Sequence, residues 1–165
     1  MTPSAGFPPI ARPDARILIL GSLPGERSIR EQQYYAHPQN AFWRIMAALY
    51  EIHGEYEARA AQLCDRRIAL WDVLHSSVRP GSMDADIRAD TALPNDFADF
   101  FARHRDIELI AFNGRKAEQL FERFVDPPEG VAEVRRASLP STSPAYASMP
   151  FSGKLAAWRE ALQVE

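Results

Sequence analysis

The sequence has a single cysteine among its 165 residues. One thiol excludes an internal disulfide, and Cys64 has no partner at the spacing of a metal site or an iron–sulfur cluster. The four histidines, His37, His53, His75 and His104, are scattered without ligand spacing. We therefore expect no metal and no cofactor, and a reducing compartment fits this composition.

Long apolar runs and an excess of positive charge are also missing. Residues 1–16 hold no apolar stretch of signal-peptide length, and no other stretch is long enough to span a bilayer. The formal net charge is −3 and the pI is near 5.8, which argues against a protein that coats nucleic acid. An enzyme that touches a few phosphates through local basic groups remains possible. We expect a cytoplasmic protein with no membrane segment.

What is present is the composition of a soluble globular protein. Hydrophobic residues make up 46% and charged residues 25% of the chain, which fits one compact domain over residues 1–165. The proline-rich residues 1–15 are expected to form an irregular lead-in. Neither an internal repeat nor a low-complexity stretch is present.

Apolar patterning predicts strands that alternate with helices along the chain. Short apolar runs predict four strands, at residues 16–20, 68–73, 107–112 and 134–138. Helical spacing predicts five helices, at residues 38–53, 56–65, 95–104, 114–124 and 151–162, with a long polar loop over residues 74–94. This order predicts a three-layer α/β/α fold around a central, mostly parallel four-stranded sheet. Ligands of such sheets bind at the carboxyl ends of the strands.

The loop after the first strand is the first candidate for chemistry. Gly21 and Gly25 flank a Leu-Pro pair, which predicts a tight turn that a ligand can approach closely. The pattern is neither a Walker loop nor GxGxxG. Polar and aromatic side chains then crowd the next helix start, as a base pocket requires. We expect Tyr34, Phe42 and Trp43 to belong to the core, but not Tyr35 or Asn40.

Three later segments carry further polar groups. The segment after Asp72 is either a solvated loop with an ion pair between Arg79 and Asp84, or a reader of a base edge. Its polar members are His75, Ser76, Ser77, Arg79, Ser82, Asp84 and Asp86. Asn113 is a candidate helix cap, and Arg115 and Lys116 in the following turn oppose the helix dipole unless phosphates are near. The hydroxyls of Ser141, Thr142 and Ser143 could donate to phosphates.

Four motifs in a fixed order carry a resemblance to a known family. They are GSLPGERSIREQQYYAHPQNAFW (residues 21–43), WDVLHSSVRPGSMDADI (71–87), FNGRKA (112–117) and LPSTSPA (139–145). Together they resemble the uracil-DNA glycosylase superfamily, above all its hypoxanthine-DNA (deoxyinosine) glycosylase branch, which is related to the mismatch-specific uracil/thymine glycosylases. The resemblance covers nearly the whole chain beyond Arg16. It implies a monofunctional enzyme that hydrolyses the N-glycosidic bond of a flipped, deaminated base in DNA and leaves an abasic site.

The resemblance also implies residue roles. It assigns the catalytic amide to Asn40, because the position in the first turn where the wider superfamily commonly has Asp or Asn is here Leu23, which cannot activate water. Tyr35 is expected to stack on the flipped base, with Leu23, Asp72 and Asn113 as further base contacts, and His37 or Asp72 is the candidate for a true general base. The expected DNA contacts are Ser22, Pro24, Gly25, Ser28, Lys116, Ser141, Thr142, Ser143, Ala145 and Tyr146, with residues 145–147 as a wedge that fills the gap in the duplex.

Other functions stay open at this stage. The same fold could act on uracil, xanthine or ethenocytosine, and a non-catalytic binder of damaged DNA is possible because the only assigned catalytic group is an amide. A free-nucleoside hydrolase would give the wedge loop and the phosphate-binding serines no purpose. We expect DNA as the partner and a monomer as the working form.

Overall fold

The computed structural model of the protein describes residues 4–77 and 87–164. Its strands and helices alternate along most of the chain. In chain order they are β1 Ser4–Ala5, β2 Ile17–Gly21, α1 Glu26–Glu31, α2 Phe42–Tyr50, α3 Tyr56–Asp65, β3 Ile68–Asp72, β4 Leu74–Ser77, a 3-10 helix Ala89–Thr91, β5 Leu93–Pro94, α4 Phe97–Arg103, β6 Leu109–Asn113, α5 Arg115–Phe124, β7 Arg135–Leu139 and α6 Phe151–Leu162.

The centre of the molecule is a four-stranded sheet in the order β3-β2-β6-β7, and every neighbouring pair of strands is parallel. The three strands β3, β2 and β6 are almost wholly buried, as expected for apolar strands of a parallel sheet. The edge strand β7 is more polar, with Arg135, Arg136 and Ser138 exposed. The predicted mostly parallel four-stranded sheet is confirmed.

Helices flank this sheet, and aromatic side chains join them to it. Trp71 of β3 packs against Phe97 and Phe100 of α4, with ring centroids 5.0 and 5.2 Å apart. Phe121 of α5 packs against Phe97 and against Phe112 of β6, at 5.5 and 5.3 Å. Because Trp71 and Phe112 are both in register with Leu20, they lie on one face of the sheet, and that face is covered by α4 and α5.

A second group of helices packs together through other aromatic contacts. Phe42 of α2 meets Trp158 of α6 edge to face at 6.0 Å, and both side chains are fully buried. Trp43 contacts Tyr56 of α3 at 5.9 Å. Phe42, Trp43 and Tyr34 are core residues, as predicted.

The structure corrects the boundaries of two predicted segments. The helix predicted over residues 38–53 spans only Phe42–Tyr50, because a turn occupies the residues before it and Glu51 adopts a left-handed conformation (φ 58°) that ends it. The predicted loop over residues 74–94 contains β4 and β5, and β4 pairs antiparallel with both β1 and β5. The proposed ion pair of Arg79 with Asp84 lies outside the described residues, as do Ser82 and Asp86.

The N-terminal lead-in pairs with the rest of the fold at two points, one of them on the central sheet. It contributes β1, and Ile10 forms an isolated antiparallel bridge with Leu70. The N–H of each of these two residues donates to the other's carbonyl, at 2.9 and 2.8 Å. Within the described part of the chain no helix is long and apolar enough to cross a membrane.

Candidate base-binding pocket

The carboxyl ends of the parallel strands meet at one edge of the sheet. Strands β3 and β6 lie on opposite sides of β2, so the chain order reverses there and a crevice opens between the loops. A cavity of about 360 Å³ occupies this position, within the size range of ligand pockets. Gly21, Asp72 and Asn113, the last residues of their strands, all line it.

The cavity gathers most of the residues that the sequence predicted for the site. The predicted residues that line it are Ser22, Leu23, Pro24, Gly25, Ser28, Tyr35, His37, Asn40, Asp72, Asn113, Ser141, Thr142, Ser143 and Ala145. Lys116 and Tyr146 are not among them. Glu26, Arg27 and Pro144 also line the cavity and were missed. Glu26 and Arg27 open helix α1, which the sequence analysis did not predict because so short a helix has little apolar periodicity.

Asn40 sits at the wall of the cavity in a rigid turn. Its backbone N–H donates to the carbonyl of His37 (2.9 Å), and its side-chain Oδ1 accepts from the backbone N–H of Phe42 (2.9 Å). Asn40 therefore forms a side-chain turn that leads into α2, whose N-cap is Ala41. This bond fixes the plane of the amide, and a carboxamide oxygen keeps a second lone pair for another donor.

Tyr35 and Asp72 meet above Gly21. A Cβ atom added to Gly21 would lie 2.5 Å from Asp72 Oδ1 and 2.9 Å from the Tyr35 hydroxyl, so only glycine fits beneath them. Tyr35 has a φ of 57°, a left-handed conformation that side chains rarely adopt and that clusters at functional sites. Its ring stacks on Phe42 with centroids 4.4 Å apart, and Phe42 in turn is fully buried.

Tyr34 forms an apolar wall behind this pair. The Tyr34 hydroxyl donates to the carbonyl of Pro8 (2.9 Å). The backbone carbonyl of Tyr34 accepts from the indole N–H of Trp43 (2.9 Å). Burial, and secondarily the negative charge of Asp72, raises the pKa of Tyr34 far above its usual value. Tyr34 is therefore a neutral structural phenol.

His37 lies exposed at the mouth of the cavity. Its Nδ1 accepts a hydrogen bond from the backbone N–H of Gln39 (3.1 Å). In neutral imidazole this leaves the proton on Nε2, so the basic lone pair is already engaged. The geometry therefore disfavours His37 as the general base and leaves Asp72 as the better candidate of the two.

Ser28 and Thr142 do not present their hydroxyls as expected for DNA contacts. Both are buried; Ser28 Oγ accepts from the backbone N–H of Ala36 (3.1 Å), and Thr142 is 1% exposed. The DNA contact predicted for Ser28 and the phosphate contact predicted for Thr142 therefore do not fit the positions of these hydroxyls. Their hydroxyls hold the walls of the cavity together instead.

Thr142 is held by Asn113 through two hydrogen bonds. Asn113 Nδ2 donates to Thr142 Oγ1, and the Thr142 backbone N–H donates to Asn113 Oδ1, both at 2.9 Å. Thr142 also accepts from the Ala41 N–H through its carbonyl (2.9 Å). The prediction that Asn113 caps α5 is wrong, since the N-cap is Gly114 and no side chain caps this helix. Asn113 instead connects the end of β6 to the loop after β7.

That loop, residues 140–150, is shaped by its own serines. Ser141 Oγ accepts from the Ser143 N–H (3.1 Å), and Ser143 Oγ accepts from the Ala145 N–H (3.2 Å). Each hydroxyl keeps its own hydrogen, which can still donate to a phosphate oxygen. The following Tyr146 is exposed (39%), as a wedge requires.

Lys116 is a further predicted DNA contact. Lys116 is partly exposed on α5 and does not line the cavity. Among the described residues, no three His, Cys, Asp or Glu side chains come together as metal ligands.

Substituting Gly21 by alanine should destabilise the fold by about 1–3 kcal/mol, because the new methyl group overpacks a buried pocket floor. The new methyl group would meet the Tyr35 hydroxyl, so removing that hydroxyl should recover part of the lost stability. The double variant Gly21→Ala/Tyr35→Phe should therefore be more stable than the sum of the two single changes predicts. Urea unfolding of the four proteins measures this coupling. Strictly additive effects would mean that the Tyr35 hydroxyl does not lie against Gly21.

The fold and the cavity define an α/β protein with a ligand pocket at the carboxyl edge of a parallel sheet. Its sequence matches the uracil DNA glycosylase superfamily over residues 8–163, and the chain belongs to that superfamily. The resemblance described above is thereby confirmed at the level of the family.

Individual relatives add detail. The chain is 44% identical over 115 residues to a hypoxanthine DNA glycosylase of Methanosarcina acetivorans, a match that covers 68% of this chain and 72% of that protein. It is 39% identical over 118 residues to a hypoxanthine DNA glycosylase of Methanosarcina barkeri, with the same coverage. A solution NMR structure of a candidate uracil DNA glycosylase from Methanosarcina acetivorans superposes with a TM-score of 0.77 at 35% identity, over 98% of this chain and 99% of that one.

Proposed function

We propose that this protein is a DNA repair glycosylase that removes hypoxanthine from deoxyinosine in DNA. The observation that carries the proposal is the cavity that brings Asn40, Tyr35 and Asp72 together at the carboxyl edge of a superfamily fold. Two relatives named hypoxanthine DNA glycosylase support the choice of base. The product is an abasic site.

The proposed chemistry needs an oriented water more than a strong nucleophile. Departure of the base leaves an oxocarbenium-like sugar, which weakly activated water can attack when it is correctly placed. Asn40 is suited to that task because its amide is fixed by the Phe42 N–H (2.9 Å) while its second oxygen lone pair can accept from water. Leu23, buried in the first turn, can shield this water but cannot activate it.

The base would be held by groups on the opposite wall. The Tyr35 ring offers a surface for stacking, an interaction worth about 1–3 kcal/mol per base. Hypoxanthine presents an N1–H donor where adenine presents an N1 acceptor, so the buried acceptor Asp72 would attract the first base and repel the second. A site that leaves a buried polar group unpaired with the wrong base discriminates strongly. Ser141 and Ser143, which also line the cavity, would contact the DNA backbone through their hydroxyls.

Labelled duplexes with one deoxyinosine or one deoxyuridine test the proposal. We expect alkali-dependent strand cleavage at deoxyinosine and no cleavage without alkali, since in this scheme water, not an amine, attacks the sugar. Undamaged duplex and free inosine are the controls and should remain intact.

Other outcomes would select other functions. Cleavage at deoxyuridine alone would retain the glycosylase and overturn the substrate, an alternative favoured by the candidate uracil DNA glycosylase among the structural relatives. Binding of deoxyinosine DNA without base release would identify a non-catalytic binder. Hydrolysis of free inosine would identify a nucleoside hydrolase.

A further inference from the structure

Two positive side chains lie beside the loop of residues 140–150, one near the Tyr146 ring and the other over the Phe151 ring. They are Arg44 of α2 and Lys154 of α6, which we call the cationic pair. We propose that the cationic pair binds a backbone phosphate of the DNA strand that the loop enters. The proposal rests on the proposed function, because it takes DNA as the ligand.

Lys154 is attached directly to this loop. Its side chain is buried (6% exposed), its Nζ donates to the Ser143 carbonyl (3.3 Å), and it lies 5.3 Å from the centre of the Tyr146 ring. Burial lowers the pKa of Lys154, the direction expected when an ammonium group loses contact with water. A positive charge in such surroundings acts strongly on a nearby anion.

Arg44 supplies the accessible half of the pair. It is exposed on α2, and its guanidinium lies 4.6 Å above the Phe151 ring. Phe151 is three residues before Lys154 in α6, so the two occupy the same face of that helix. The charge of Arg44 further lowers the pKa of Lys154, as expected for two neighbouring cations.

No carboxylate of the described residues neutralises this pair. Among residues 4–77 and 87–164, neither Arg44 nor Lys154 has an acidic oxygen within 4.0 Å, whereas Arg12, Arg16 and Arg27 each pair with one. Two adjacent cations without a counter-ion repel each other, and a bound anion removes that repulsion. Many other arginines here lack an acidic partner, so the position of the cationic pair is what singles it out.

That position matches the path of a DNA backbone. Arg44 lies in the first turn of α2, which begins two residues after the cavity-lining Asn40. Ser143 lines the cavity, and Lys154 holds its carbonyl from outside the cavity. In this proposal a nucleotide whose base enters the cavity brings its phosphates to the loop. There the Ser141 and Ser143 hydroxyls can donate, and the cationic pair adds positive charge. This donor set suits a phosphodiester.

Salt-dependent DNA binding tests the proposal. The probe is a fluorescein-labelled duplex with one tetrahydrofuran abasic analogue, titrated by fluorescence anisotropy over a range of KCl concentrations. Arg44→Met should lower the slope of log Kd against log [KCl] by about one, the effect of one lost phosphate contact. The double variant with Lys154→Met should lower the slope by about one to two.

Arg123→Met is the matched control, because Arg123 also lies over a ring, that of Phe124, at 5.0 Å. It sits in the last turn of α5, which starts at the carboxyl edge of the sheet and leads away from it, so its loss should leave the slope unchanged. Equal slopes for wild type, Arg44→Met and Arg123→Met would overturn the proposal. Because Arg44 is exposed, Arg44→Met should fold normally. Its salt slope therefore tests the proposal even if Lys154→Met fails to fold.

Base release from deoxyinosine DNA, measured on the same proteins, separates this proposal from the proposed function. A reduced slope in a protein that releases no hypoxanthine would keep the phosphate site and overturn the function. Release of hypoxanthine together with an unchanged slope in Arg44→Met would keep the proposed function and overturn the phosphate site.

Discussion

Replacement of Asn40 by alanine is expected to lower the rate of hypoxanthine release by about two to three orders of magnitude, the usual effect of removing a preorganised catalytic hydrogen-bonding group. The DNA contacts proposed for the loop over residues 140–150 do not involve Asn40, so the Kd for the abasic-analogue duplex should change far less. Single-turnover cleavage of a deoxyinosine duplex, with enzyme in excess, measures the chemical step.

The structure provides a sharper control than alanine alone. Asn40→Ala also removes the bond from the Phe42 N–H to Oδ1 (2.9 Å), and losing such a hydrogen bond costs about 0.5–1.5 kcal/mol of stability. Asn40→Asp keeps an acceptor for that N–H and places a negative charge at a helix N-terminus, where it is favourable. Its unfolding free energy should therefore stay close to that of wild type.

The activity of Asn40→Asp then identifies which amide atom matters. If the oxygen orients water, the carboxylate should retain at least about tenfold more activity than alanine, within the range that acid–base groups contribute. If Asn40→Asp is as inactive as Asn40→Ala, the NH₂ group is the essential donor. Wild-type rates for both variants would remove Asn40 from the catalytic assignment.

Much of the fold could be predicted from short-range pattern. Runs such as residues 16–20 and 107–112 are apolar and too short for helices, and strands separated by helices form parallel sheets. Once the sheet is parallel, the carboxyl ends of β2, β3 and β6 must share an edge. The assembly of Gly21, Asp72 and Asn113 around one cavity follows from that rule, although they are far apart in the sequence.

The predictions that do not fit the structure concern side chains whose contacts are not encoded in the sequence spacing. Asn113 stands just before a helix, a position typical of a cap, but its amide is used by Thr142, 29 residues later. The motif that contains Ser28 predicts a DNA contact for this residue, but its hydroxyl accepts a hydrogen bond from the backbone N–H of Ala36. A polar side chain can serve a ligand or the fold, and only the three-dimensional partner distinguishes the two.

The link between Asn113 and Thr142 carries the second large prediction. Asn113→Ala leaves the buried Thr142 N–H and hydroxyl without their partner, which should destabilise the protein by about 2–4 kcal/mol. Because Thr142 also accepts from the Ala41 N–H (2.9 Å), a released loop would shift relative to the start of α2, next to Asn40. A displacement of about 1 Å can cost about a hundredfold in rate, and we expect a loss of that size in hypoxanthine release.

A double-mutant cycle with Thr142→Val distinguishes a positioning role from direct base binding by Asn113. Thr142→Val removes only the hydroxyl bond, so it should cost less than Asn113→Ala, about 1–2 kcal/mol, and the two losses should be coupled by more than about 0.5 kcal/mol. Thr142→Ser, which keeps the hydroxyl, should restore most of that coupling. If Asn113→Ala abolishes activity while its stability loss adds independently to that of Thr142→Val, the amide would contact the base itself. If the coupling is found and both variants lose activity in proportion to it, Asn113 acts through Thr142. The side chain that resembles a base ligand in the sequence is then the one that holds the loop over residues 140–150 against the pocket.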